Sequence, residues 1–126
     1  MYEISFVKQI TVSDPDLYIN DCCWGGDVVR DELMPLVRAN GYDSIETHQE
    51  DWGWFIWFRR GAIHLAIDIG CDDFKDGRFR VLLSSHTKKM FFIRVESDTP
   101  ELEELKDLVI TRLEAWASSV QCQKTK

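Results

Sequence analysis

EDWGWFIWFRRG, Glu50 to Gly61, places three tryptophans and two phenylalanines within the seven residues Trp52 to Phe58. The next stretch, AIHLAIDIG (Ala62 to Gly70), carries apolar residues at alternate positions. Alternation with period two marks a strand with two unlike faces. With Arg60-Gly61 at the tip of a tight hairpin, Phe58 falls opposite Ile63, Ile56 opposite Leu65, Trp54 opposite Ile67 and Trp52 opposite Ile69. All eight side chains are apolar and share one face, so that face is the predicted core. A slip of one residue would turn the whole set outward. Large aromatics dominate core burial, which places Trp52 and Trp54 there.

The opposite face carries Phe55 and Trp57 from the first strand, with Ala62, His64, Ala66, Asp68 and Gly70 from the second. In this register Trp57 lies opposite His64 and Phe55 opposite Ala66. Large rings among small and ionisable residues make a shallow floor rather than a packed interior. Its cover is the protein's own loop LYINDCCWGG (Leu17 to Gly26), a second copy of the chain, or a ligand. Matching Phe79, Val81 and Leu83 to Cys71, Ile69 and Ile67 brings in a third strand. Arg80, Leu82, Ser84 and His86 then join the open face, with His86 opposite His64 and Arg80 diagonal to Asp68. A slip of two residues preserves the core face equally well. The candidate binding residues are Phe55, Trp57, His64, Asp68, Arg80 and His86.

Outward from the hairpin, Ile4, Phe6, Ile10 and Val12 alternate along a first strand, and SDPD (Ser13 to Asp16) ends it. DVVRDELMPLVRANG (Asp27 to Gly41) has a helical stripe of Val29, Leu33, Leu36 and Val37, and Asn40-Gly41 is a left-handed stop. Pro35 implies either a kink or a helix that starts near Asp31. From Ser44 to Glu96 the period is two, giving strands over about 44–58, 62–71, 78–85 and 90–96; only the turn DDFKDG holds an Asp-Gly hairpin signal. A last helix opens at Asp98 or Thr99, with Pro100 and acids in its first turns. Its apolar stripe is Leu102, Leu105, Val109, Leu113, Trp116 and Val120, and residues 120–126 read as a frayed tail. The prediction is one α+β domain over residues 1–126. Its antiparallel sheet has about five strands, in the order β-α-β-β-β-β-α, with two helices packed on one face.

Bulk composition narrows the function. At 126 residues, 44% hydrophobic and 29% charged, the chain suits one globular domain. No apolar run approaches the roughly 20 residues that span a bilayer. The N-terminus MYEISFVKQITV lacks the apolar core of a secretion signal, so the expected location is the cytoplasm. There the four cysteines are expected as thiols. A net charge of −7 argues against direct nucleic-acid binding. The charge is uneven. Arg78 to Arg94 holds five bases and no acid, whereas Asp98 to Glu114 holds six acids against Lys106 and Arg112. The acidic segment is either a solvated helix face or a surface that steers a basic partner.

Catalytic patterns are weak. His64 and His86 supply two metal ligands at most, because Asp68 lies about 13 Å along the strand from His64. CDDFKDG (Cys71 to Gly77) fails as a calcium loop, with Phe74 at a ligand position and Leu83 where a glutamate is required. Cys23, near two glycines and a helix start, is the best nucleophile by position, yet no histidine can be placed beside it. Glu50 and Asp51 point to opposite faces and read as charges at a strand's start. No catalytic residue, metal ligand set or cofactor is assigned.

The run EDWGW (Glu50 to Trp54), followed after a hairpin by Ile69-Gly70-Cys71, resembles a pattern of small uncharacterised bacterial α+β proteins. The likeness covers Glu50 to Gly77 and implies no activity. In size and acidity the chain is also similar to bacterial immunity proteins, which neutralise a cognate toxin. The expected function is a non-enzymatic protein-interaction module, an immunity-type inhibitor in its most concrete form, with self-association into a homodimer as a variant. The alternative is a small-ligand-binding protein or enzyme using the same open face.

Overall fold

The alternation in the aromatic stretch forms a hairpin, in a register two residues from the predicted one. In the computed structural model, which describes residues 1–89 and 93–125, β3 (Gly53–Arg60) pairs antiparallel with β4 (Ile63–Asp73). Arg60 faces Ile63, Phe58 faces Leu65, Ile56 faces Ile67 and Trp54 faces Ile69. The loop is only Gly61-Ala62, with Gly61 at φ +58°. A two-residue hairpin loop with glycine first in a left-handed conformation matches the twist of its strands. The predicted four-residue loop gave the same facing but displaced every pair by two.

The predicted strand 44–58 is two strands. β2 (Asp43–Glu50) folds back on β3 through Asp51-Trp52, and Glu50 pairs with Gly53. Gly53 has φ +146°, and a Cβ there would stand 1.9 Å from the Ile69 carbonyl oxygen, so only glycine fits. Trp52 therefore sits in a turn, 42% exposed, and not on the core face where alternation put it.

The sheet has seven strands rather than about five, all pairs antiparallel, in the order β2-β3-β4-β5-β1-β7. β1 is Tyr2–Val7, β5 is Arg78–Lys89 and β7 is Ser118–Lys124. β6 (Ile93–Glu96) pairs with the end of β5 beyond β1. It is the described part of the predicted strand 90–96, of which residues 90–92 lie outside the described residues. The predicted tail is no tail: β7 is an edge strand on β1, with Tyr2 facing Lys124 and Ile4 facing Cys122.

α1 spans Gly26–Ala39 with Pro35 inside, so the later start near Asp31 does not occur. Asn40 caps the helix end and Gly41 follows at φ +76°. α2 spans Pro100–Trp116, capped by Thr99, whose Oγ1 accepts the Leu102 N–H at 3.1 Å. The same hydroxyl donates to Ser85 Oγ at 3.0 Å, and Ser85 donates to the Ser97 carbonyl, tying the start of α2 to β5.

Both helices lie on one face of the sheet. Val29, Leu33 and Val37 of α1 join Leu102, Leu105, Val109 and Leu113 of α2 over Ile4, Phe6, Ile56, Phe58, Ile67, Phe79 and Val81. Each of these side chains is at most 2% exposed, and each such burial contributes roughly 1.5–3 kcal/mol. Among the described residues, no helix is long and apolar enough to cross a membrane.

Candidate functional site

The open face begins with a stack. Phe55 and Trp57 are two residues apart on β3, so their side chains project to the same side. Their ring centroids are 3.9 Å apart and the planes 24° apart. Phe55 is buried beneath, flanked by Trp52 at 6.3 Å and by His48 of β2, edge-on, at 5.9 Å. Trp57 is 40% exposed above it. The loop Leu17 to Gly26 is not its cover. That loop packs on the helix-bearing side, where the Cys23 carbonyl accepts from Trp54 Nε1 at 2.8 Å and Gln49 bonds the backbone of Leu17 and Ile19.

Trp57 faces Ala66 rather than His64, and Phe55 faces Asp68 rather than Ala66, as the two-residue shift requires. The shift gives Trp57 a polar partner: its Nε1–H donates to Asp68 Oδ1 at 3.0 Å. Burial pushes the Asp68 carboxyl up, while the indole bond and the His86 charge pull it down. The bond fixes the indole edge and leaves one ring face toward solvent.

Of the β4–β5 registers that the alternation allowed, the structure has the one with Cys71 facing Phe79, Ile69 facing Val81 and Ile67 facing Leu83. His64 and His86 are therefore cross-strand neighbours. Burial holds the His64 imidazolium below its ordinary value, and Arg94, Arg59, Lys88 and His86 lower it further. Trp57, Asp68, His64 and His86 line one depression of about 540 Å³ with Ser84, Glu46, Arg59 and Arg94.

Arg80 is not part of it. Its guanidinium pairs with Glu3 at 3.0 Å and Asp72 at 3.3 Å, and it lines a second depression of about 280 Å³ with Trp52, Gly70 and Leu82. Asp68 borders both. Sequence reasoning missed Arg59, Arg94 and Trp52. Arg59 was legible, having the parity of Trp57. Arg94 depended on the β5–β6 pairing, and Trp52 on a turn that no glycine-asparagine signal marks.

Neither Cys23 nor Cys71 is placed to act as a nucleophile. Cys23, the positional nucleophile, is fully buried, its thiol pushed up by burial and directed at the Glu50 carbonyl 3.0 Å away. Cys71 lies on the core side, pushed up to about 11. A thiol held above its ordinary pKa is a poor nucleophile. Among the described residues, no group of three or more His, Cys, Asp or Glu is placed to hold a metal ion. Comparison with protein-family models, with curated proteins and with solved structures finds no match for this chain.

Proposed function

We propose that the chain is a non-enzymatic interaction module that holds a partner protein on the open face of β2–β5. An inhibitor of the immunity type is its concrete form. The observation that carries the reading is the exposure of Trp52 and Trp57, 42% and 40%, on the side of the sheet opposite both helices. Exposed tryptophans ringed by polar groups are the composition of a binding hot spot. Phe55 beneath and Asp68 at the edge hold Trp57 in one orientation, which lowers the entropy lost on binding.

The test is capture from the native lysate with tagged wild type and Trp57→Ala, with circular dichroism confirming that both are folded. A stoichiometric partner lost with the variant supports the module. Capture unchanged by the variant removes the open face from it. A mass in solution of two chains, reverting to one in Trp57→Ala, makes the partner a second copy.

A small-ligand site is the second reading, favoured by the depression beside Trp57. Its volume of about 540 Å³ falls in the ordinary range of ligand pockets. Ligand-induced quenching of Trp57 fluorescence, absent in Trp57→Phe, is the measurement that separates it from protein capture.

A further inference from the structure

The chain is acidic overall, yet its open face holds a row of bases. Arg59 of β3, His64 of β4 and His86 of β5 are directly opposite one another along the sheet. Two residues on, Lys88 of β5 faces Arg94 of β6. All five share the parity of Trp57 and lie on its side of the sheet. Like charges directly opposite, as Lys88 and Arg94 are, destabilise a sheet. Elsewhere most cations are neutralised, as Arg30 is by Asp31, Arg60 by Glu104, Arg80 by Glu3 and Arg112 by Glu32, while Lys8, Arg38 and Lys75 stand singly without an ion pair among the described residues. Arg59, Lys88 and Arg94 form no ion pair among the described residues. The exposed acids of α2, Glu104, Asp107 and Glu114, lie on the helix-bearing side and do not reach this row.

We propose that this row docks an acidic segment of the partner protein, with carboxylates on Arg59, Lys88 and Arg94 and an apolar side chain on Trp57. The inference rests on the interaction reading and names the chemistry of its partner. Three facts favour a segment over a lone small anion. The row crosses four strands, about 14 Å at about 4.8 Å per strand, which is wider than one phosphate or carboxylate. The depression is open along the sheet and has an aromatic floor beside the charges. The acids beside it leave it unneutralised: Asp43 opposite Arg59, Glu46 opposite Trp57, Asp68 bonded to Trp57 and Glu96 opposite His86 form no ion pair with Arg59, Lys88 or Arg94 among the described residues. The acidic face that the charge pattern offered to a basic partner therefore lies across the sheet from the tryptophans.

The experiment follows the Trp57 indole N–H by NMR in the whole chain. The probe is a short blocked peptide with a central phenylalanine flanked by glutamates. The controls are the same peptide with lysines for glutamates, and inorganic phosphate. The expected result is a saturable shift of the indole with the glutamate peptide alone. Binding weakens at least about tenfold in Arg59→Gln/Arg94→Gln. It is unchanged in Lys75→Gln, a distant exposed cation, and is lost in about 1 M salt, where the screening length is about 3 Å. Equal binding of the lysine peptide, an unaffected double variant, or no shift at all overturns the inference. Phosphate alone shifting the indole overturns it in favour of a small anion. Lysate capture lost in Trp57→Ala but retained in the double variant leaves the interaction module standing and removes only its acidic partner.

Discussion

On the β3–β4 hairpin, alternate residues of the same two strands meet opposite fates. Ile56, Phe58, Leu65 and Ile67 are at most 2% exposed beneath α1 and α2. One position along, Trp57 is 40% exposed, and Arg59 and His64 face each other beside it. Parity sorts the side chains, and both helices take the same side. The core face is therefore judged by folding, whereas the open face is free to be judged by binding. Phe55 stands between the two: buried, but only by other members of the open face.

Breaking the core face has the largest expected effect. Phe58→Ala removes a ring packed 4.6 Å from Tyr42 and costs about 3–5 kcal/mol in urea unfolding. On the open face, Trp57→Ala costs less stability than Phe58→Ala, because Trp57 is already 40% exposed to water. Partner affinity falls about 100-fold, measured by titration calorimetry against the captured partner. Equal stability losses at the two positions would erase the distinction between the faces.

The titrating groups sharpen the comparison. His64 is held below its ordinary value of 6.5, so the folded state disfavours its proton. Its contribution is present above pH 6.5 and is lost as pH falls through the folded value. His64→Gln should flatten that acid limb in unfolding midpoints measured across it. An unchanged limb would mean that neither burial nor the cations around His64 act on its proton.

Asp68 gives the smallest effect, with the opposite sign. Its folded value is raised, so its contribution is fully present below pH 3.8 and is lost as pH rises through the folded value. Asp68→Asn keeps an acceptor for the Trp57 indole and removes that loss. The variant should be as stable as wild type or slightly more so at neutral pH, with the difference vanishing in acid. A variant less stable at neutral pH would show that Trp57 needs the charge.

Much of the fold was legible because burial on one side leaves a periodic mark. The facing of β3, β4 and β5 and the Asn40-Gly41 stop follow from residue type, whereas the β4–β5 register was one of several that fit and the α2 cap was either Asp98 or Thr99. The company of Trp57, His64 and His86 was legible too, since parity alone puts them on one face. β7 left no mark: of its residues SSVQCQK at the sheet's edge only Val120 is partly buried, so nothing alternates. β2 was absorbed into β3 because Asp51, a common turn residue, was read as a charge at a strand's start, and the tight requirement falls on Gly53, after the loop.

By itself the sequence determined which side chains share a face, since a strand's period of two admits no other sorting. It did not determine which of them meet across strands, because a slip of two residues keeps every apolar side chain inward. Only the tertiary structure decided that, through the Gly61 turn and the close approach of Gly53 to Ile69. Those two contacts give Trp57 its bond to Asp68. The placement of both helices on the other side leaves Trp57 and its row of bases facing outward.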